Sequence, residues 1–195
     1  MKLYMVRHGE SEANRAIRLS VAETPLTEKG IEDAKKVGRL LRGHKFDRVL
    51  VSPYLRARQT QKHAMPDVEG ESVELLHEVD CGMLEGRLYS EVLSEYEELA
   101  TLIAIDDFTS FGGEDYANVR RRMRDFMAYL ISLEAENVVA FTHAGVILTF
   151  FDEVMKREGK PGRNIQCSNG SVNVFEYKDG IWTIAAMNIT GDLYN

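Results

Sequence analysis

Twice in this chain an uninterrupted apolar run ends on a histidine that is followed within two residues by a glycine. Leu3-Tyr4-Met5-Val6 leads into Arg7-His8-Gly9, and Val138-Val139-Ala140-Phe141 leads into Thr142-His143-Ala144-Gly145. Four consecutive apolar residues lack the gaps of an amphipathic helix and describe strands covered on both faces. Strands of that kind belong to parallel sheets flanked by helices. A histidine at the carboxyl end of such a strand stands at the edge where open α/β sheets bind ligands.

The intervening sequence fits that frame. Ser11 to Arg18 is polar and helix-forming, and Thr27 is a good N-cap for a helix with Ile31, Ala34, Val37, Leu40 and Leu41 on one face, ending near Gly43. Val49-Leu50-Val51 reads as a second buried strand closed by Ser52-Pro53, Leu55 to Ala64 as a short helix stopped by Pro66, and Val73-Glu74-Leu75-Leu76 as a weaker strand. Glycines 82, 86, 112 and 113 bracket a lid-like excursion at about 83–113, helical from Tyr89 to Ile105. Glu114 to Glu134 is a long amphipathic helix, and Val146 to Met155 a buried one. Pro161 to Gly170 reads as a loop, and Val172–Tyr177 and Ile181–Met187 as a hairpin turning on Asp179-Gly180. The expected fold is α/β: a three-layer α/β/α sandwich with a mostly parallel central sheet and helices on both faces.

At 195 residues with 44% apolar content, the chain suits one domain over residues 1–195 with a substantial core. A net charge of -7 argues against nucleic acid or an acidic membrane as the main partner, while a local basic pocket for a small anion stays compatible with it. No stretch is long and apolar enough to act as a signal peptide or to span a bilayer, which predicts a cytoplasmic protein. Cys81 and Cys167 sit in no CxxC pair and read as reduced thiols, with no metal site expected. Met83, Met123, Met127 and Met155 read as core filler, and His44, His63 and His77 as solvated or structural.

In a parallel sheet the carboxyl ends of the strands share one edge. Arg7-His8, Ser52 to Arg58 and His143 to Gly145 therefore meet there, with the segment around Glu78 beside them. Two histidines, several arginines and a carboxylate in one crevice suit phosphoryl transfer. Arginine presents a planar fork matched to phosphate oxygens and keeps its charge, so it can neutralise the equatorial oxygens.

Ordered motifs then give a specific resemblance. RHGESEAN at 7–14, PLTEKG at 25–30, SPYLRARQT at 52–60, LHEVDCGMLEG at 76–86, GGE at 112–114 with Arg122 eight residues on, and THAG at 142–145 together resemble the histidine phosphatase superfamily, in its phosphoglycerate mutase-like branch. The likeness spans nearly the whole chain and implies a phosphoglycerate mutase-like fold with no cofactor. It implies His8 as the nucleophile that forms a phosphohistidine, with Arg7, Arg56 and His143 binding the phosphoryl group and Asn14 and the N–H of Ala144 as further donors. Glu78 is implied as the acid that protonates the leaving oxygen and then activates water. Arg58 competes with Arg56 by spacing alone, and Asp80 and Glu85 compete with Glu78. Arg122 matches a family position and reads as an internal tether. Ala144 stands where the family often has glycine and Leu84 where many relatives carry tryptophan. No aspartate follows His143, so the acid-phosphatase branch fits poorly.

A phosphohistidine can be discharged to water or to a second hydroxyl. The short roof favours water and predicts a metal-independent phosphomonoesterase acting on a small phosphate ester, such as α-ribazole-type or sugar phosphates by resemblance. The alternatives are a bisphosphoglycerate-dependent phosphoglycerate mutase and a catalytically silent phosphate-binding scaffold. Specificity is expected in Arg87 to Phe111 and Glu158 to Ser168, and the protein as a monomer or homodimer.

Overall fold

The apolar runs form the centre of the sheet. The structure is a computed structural model and describes residues 1–96, 107–157 and 165–191. In chain order it contains β1 (Lys2–Arg7), α1 (Glu12–Ala16), α2 (Glu28–Leu40), β2 (Arg48–Val51), α3 (Leu55–Ala64), β3 (Glu71–Ser72) and α4 (Tyr89–Glu95). These are followed by α5 (Tyr116–Ser132), β4 (Asn137–Thr142), α6 (Ala144–Val154), β5 (Val172–Lys178) and β6 (Ile181–Ile189). The six strands make one mixed sheet in the order β3-β2-β4-β1-β5-β6. The first four of that order are mutually parallel, β5 runs antiparallel to β1, and β6 antiparallel to β5.

Side chains alternate across β1, so Leu3 and Met5 enter one core while Tyr4 and Val6 enter the other. The first core is closed by Met123, Phe126 and Leu130 of α5 and by Val146, Ile147 and Phe150 of α6. Across the sheet, Val37 of α2 and Ala57 of α3 cover Val51, Val139 and Phe141. Helices on both faces give the expected three layers. Each fully buried Leu, Val or Phe contributes about 1.5–3 kcal/mol, so the two cores rather than the helices' own propensities hold the sheet.

The helix starts follow their caps. Thr27 Oγ1 accepts from the Gly30 N–H at 3.0 Å, and Asp115 Oδ1 accepts from the Asn118 N–H at 2.7 Å. Each such cap is worth about 1 kcal/mol. The hairpin turns on Asp179 and Gly180, both left-handed with φ 51° and 80°, as a two-residue turn of the twist-matched kind requires. Where the chain leaves β1 it packs onto α2 backbone to backbone, and a Cβ on Gly9 would lie 2.2 Å from the Gly30 carbonyl oxygen.

Two expectations need correction. Val73 to Leu76 is not a strand: β3 is the exposed pair Glu71–Ser72, and Glu74–Leu76 is a 3-10 turn that drops Val73 and Leu76 into the core. Met83 and Met155 are 74% and 53% exposed and fill no core, whereas Met123 does. The helix expected from Tyr89 to Ile105 is present as Tyr89–Glu95 with Tyr96 as its extended C-cap, and the residues from 97 to 105 lie outside the described residues, as does part of the loop expected from Pro161 to Gly170. A satellite core of Leu19, Leu84, Val92 and Phe108 joins the 82–113 stretch to the loop after α1, and Leu84 is buried within it.

Candidate active site

Strand register assembles the site. Arg7 pairs with Thr142 and Val51 with Phe141, so His8, Ser52 and His143 leave three adjacent strand ends side by side. The His8 N–H donates to the Thr142 carbonyl at 3.0 Å, and the Ser52 N–H to the Phe141 carbonyl at 2.9 Å. The two imidazoles, both buried, lie with ring centroids 5.2 Å apart.

The hydrogen bonds of His8 define its tautomer. Nδ1 lies 2.7 Å from the Gly9 carbonyl oxygen, which only accepts, so Nδ1 carries the proton and Nε2 the lone pair. Arg56 Nε donates to that Nε2 at 3.3 Å, consistent with the same assignment. Burial, and then the charges of Arg56 and Arg7, push the His8 pKa well below its ordinary value and keep the ring neutral. The backbone beside it is anchored by the Gly9 N–H to Thr60 Oγ1 at 3.1 Å.

Cationic and neutral donors surround this ring. Arg56 is 1% exposed, donates from Nη1 to the Val21 carbonyl at 2.9 Å and lies over the Tyr54 ring at 5.1 Å, while Nη2 is without a partner. Its expected competitor Arg58 is exposed. Arg7 Nη1 donates to the Cys167 carbonyl at 2.5 Å and leaves Nε unpartnered. His143 Nε2 lies 2.8 Å from Ser52 Oγ, which itself accepts from the Tyr54 N–H at 3.3 Å. With the Ser52 hydroxyl donating to Nε2, the imidazole proton would sit on Nδ1, a buried atom with no partner. Burial and the Arg56 charge lower the His143 pKa well below its ordinary value. Three buried nitrogens at one strand edge without partners form an arrangement that a bound anion would satisfy.

A cavity of about 410 Å³ opens at this edge, lined among others by Arg7, His8, Asn14, Glu78 and Ala144. Of Glu78, Asp80 and Glu85, Glu78 alone lines it. Its Oε1 accepts from the Val79 N–H at 3.0 Å and lies against the start of α6, where a Cβ on Gly145 would come within 2.6 Å. Asp80 Oδ1 instead accepts from the Gly82 N–H at 2.7 Å, and burial together with the Asp80 charge raises the Glu85 pKa. Arg122 ties the carboxylate segment down. It grips Glu114 from Nε at 3.2 Å and Nη2 at 2.9 Å, and donates from Nη1 to the carbonyls of Leu75 and His77 at 2.9 and 2.7 Å. Glu114 in turn accepts from the Asp80 N–H at 3.1 Å, so both ends of the 75–80 segment are tied to one ion pair.

Asn14 Oδ1 accepts from Ser11 and from Asn169 Nδ2, the latter at 3.0 Å, leaving its NH2 as the end outside those bonds. Ala144 opens α6, and its side chain meets the cavity instead of closing it. Among the described residues no group of three His, Cys, Asp or Glu side chains could share a metal ion. The sequence reading assigned no part to three contributors. Asn169 also bonds the His8 and Gly9 carbonyls at 3.2 and 3.3 Å, Ser52 orients His143, and Gly145 leaves space for Glu78. Gly145 and Ser52 carried a signal, as the last residue of THAG and the first of SPYLRARQT, and Asn169 carried none.

A buried neutral imidazole at a strand end, in one crevice with arginines, a second imidazole and a carboxylate, is an arrangement suited to an enzyme of phosphoryl transfer. The chain belongs to the histidine phosphatase superfamily (branch 1), whose family model matches residues 3–190. It is 30% identical over 194 residues to the adenosylcobalamin/alpha-ribazole phosphatase of Salmonella typhimurium, covering 96% of each chain. It is 27% identical over 206 residues to phosphoserine phosphatase 1 of Hydrogenobacter thermophilus, covering 100% of this chain and 96% of that one. The crystal structure of the alpha-ribazole phosphatase from Shigella flexneri superposes with a TM-score of 0.85 at 25% identity, over 97% of this chain and 96% of that one. The phosphatase names of these relatives agree with the phosphatase expected from the motifs.

Proposed function

We propose that this protein is a metal-independent phosphomonoesterase that acts in the cytoplasm on small phosphate esters through a phosphohistidine on His8. The observation that carries the proposal is the His8 ring: neutral, its proton held on Nδ1 by the Gly9 carbonyl, and its Nε2 lone pair beside Arg56. A nucleophile must be unprotonated at the attacking atom and fixed in direction, and this ring is both.

In the first step Nε2 forms a bond to phosphorus as the ester P–O bond breaks. Arg7, Arg56 and Nδ1 of His143 hold the phosphoryl oxygens, and Asn14 and the Ala144 N–H at the start of α6 add donors. Glu78 gives its proton to the leaving oxygen. In the second step the Glu78 carboxylate takes a proton from water, the resulting hydroxide attacks phosphorus, and the P–N bond breaks to release phosphate. Arginine charge takes the part that a metal ion plays in other phosphoryl-transfer sites.

The test is steady release of p-nitrophenol from p-nitrophenyl phosphate by the full chain in the presence of EDTA, with an acid-labile phosphoenzyme trapped on quenching. His8→Ala should abolish both. Turnover that requires an added divalent metal, or that survives in His8→Ala, would overturn the proposal. Interconversion of phosphoglycerates on addition of bisphosphoglycerate, without phosphate release, would turn it into a mutase.

A further inference from the structure

Ile17 closes α1 with φ 53° and ψ 54°, in the left-handed region that β-branched residues avoid. Glycine or asparagine would sit there without strain. The neighbours hold the conformation: the Ile17 N–H donates to the Asn14 carbonyl at 3.3 Å, and its own carbonyl accepts from the Tyr89 N–H at 3.1 Å. Those bonds are backbone bonds that any residue could make, so they do not call for an isoleucine. What the isoleucine adds is a side chain that is 68% exposed and lines the mouth of the active-site cavity. An exposed apolar side chain kept in a strained conformation at a cavity mouth gains its contacts only when something apolar lies against it.

The rest of that wall has the same character. Val79, Tyr89 and Leu148, all partly exposed, line the cavity with His8, and the lining residues Leu19 and Phe108 are buried. Among the described residues the cationic side chains lining it are Arg7 at the phosphoryl end and Arg18, whose guanidinium donates to the Gly86 carbonyl at 3.0 Å. The other polar side chains of the lining, among them Asn14, Ser20, Glu78 and Thr149, carry no positive charge, so a second anion on the organic half would have Arg18 as its partner there.

We propose that Ile17 is a specificity-determining residue that, with Tyr89, packs against the organic half of the substrate, and that the site selects phosphate monoesters with a flat or apolar leaving group over small polar ones. The proposal rests on the active-site cavity assigned above, and it concerns binding rather than turnover. Of the apolar side chains that α1 and the loop after it bring to the cavity, Ala13 and Leu19 are buried and Ile17 is exposed, so its loss is readable.

The experiment measures equilibrium binding of two phosphonates, which no phosphatase can hydrolyse, to the full chain by calorimetry. The probes are 1-naphthylmethylphosphonate and methylphosphonate, and the chains are wild type, Ile17→Asn and Ile17→Leu. Wild type should bind the aryl probe at least about tenfold more tightly than the methyl probe, the range that a few apolar contacts supply. Ile17→Asn should cut that ratio about fivefold or more without lowering the melting temperature, because asparagine accepts the left-handed conformation. Ile17→Leu keeps the apolar contact and should hold the ratio within about twofold. A wild-type ratio near one, an unchanged ratio in Ile17→Asn, or an equal loss in Ile17→Leu would overturn the proposal. Aryl preference without hydrolysis of any ester would overturn the phosphatase reading alone, and hydrolysis without aryl preference would overturn this one alone.

Discussion

The Glu78 carboxylate fills the space that a side chain on residue 145 would need: a Cβ built on Gly145 would lie 2.6 Å from Glu78 Oε1 and 2.8 Å from Val79 Cγ2. The carboxylate is thereby placed against the first turn of α6, on the strand edge that carries His8 and His143.

Gly145→Ala should therefore act on the acid and not on the fold. The added methyl strains the contact by about 1–3 kcal/mol, while alanine recovers up to about 1 kcal/mol of helix propensity, so the melting temperature should move only a few degrees. With Glu78 displaced, kcat/KM, which reports the transfer to His8 and not the later attack of water, should fall about 10²-fold on an alkyl phosphate and far less on p-nitrophenyl phosphate, because that leaving group needs no proton. Equal losses on the two substrates would show that Glu78 is not the acid.

Arg56 is buried, and among the described residues no carboxylate lies within hydrogen-bonding distance of it; its partners are the His8 ring, the Val21 carbonyl and the Tyr54 face. Burial lowers its pKa, a direct mark of the cost of keeping the charge there. Arg56→Met should gain about 1–2 kcal/mol in urea unfolding, since an apolar side chain of similar volume removes that cost. The same variant should lose at least about 10² in kcat. A stability loss combined with retained activity would contradict the role proposed for this guanidinium.

Removal of the Arg122 guanidinium leaves Glu114 and the carbonyls of Leu75 and His77 without their donor. Arg122→Met should cost about 3 kcal/mol in urea unfolding. Glu114→Gln combined with it should cost less than the sum of the two single changes, because the carboxylate would no longer be left unpaired. Strict additivity would show that the pair does not act as one tether.

Both active-site histidines have pKa values held well below the ordinary value by burial and by Arg56. As pH falls below about 6.5 the unfolded chain takes up protons that the folded chain refuses, so stability is full above that pH and declines beneath it. Urea unfolding from pH 7.5 to 5.5 should show this slope in wild type, and a shallower slope in His8→Asn and in His143→Asn. Identical slopes in all three would mean that neither ring is held neutral in the fold.

How much of this was legible in the sequence depends on whether the signal was local. Central strands buried on both faces are uninterrupted apolar runs, so β1, β2 and β4 could be read directly, and their register then brought His8 and His143 together. The edge strand could not be read. Glu71 and Ser72 pair with Leu50 and Val51 at a rim with no second face to bury, while the apolar residues that follow them belong to a turn. Met83 and Met155 misled for a related reason, since composition says nothing of which side of a short turn or helix end meets solvent. The motifs marked Arg56 and Glu78, but their separation from Arg58, Asp80 and Glu85 needed burial and the cavity. The bond from Ser52 to His143 spans 91 residues and the bonds from Asn169 to His8 span 161, distances at which no pattern along the chain can operate.

β1 lies at the middle of the sheet, between β4 and β5, and Leu3, Met5 and Val6 have no exposed surface at all. The imidazole proposed to take up phosphorus is thus mounted at the end of a strand buried at the centre of the sheet, and its attacking atom is aimed before any ester arrives. Incoming molecules must swing themselves into line with a stationary target, which places the motions of each cycle in the walls of the entrance and spares the framework beneath.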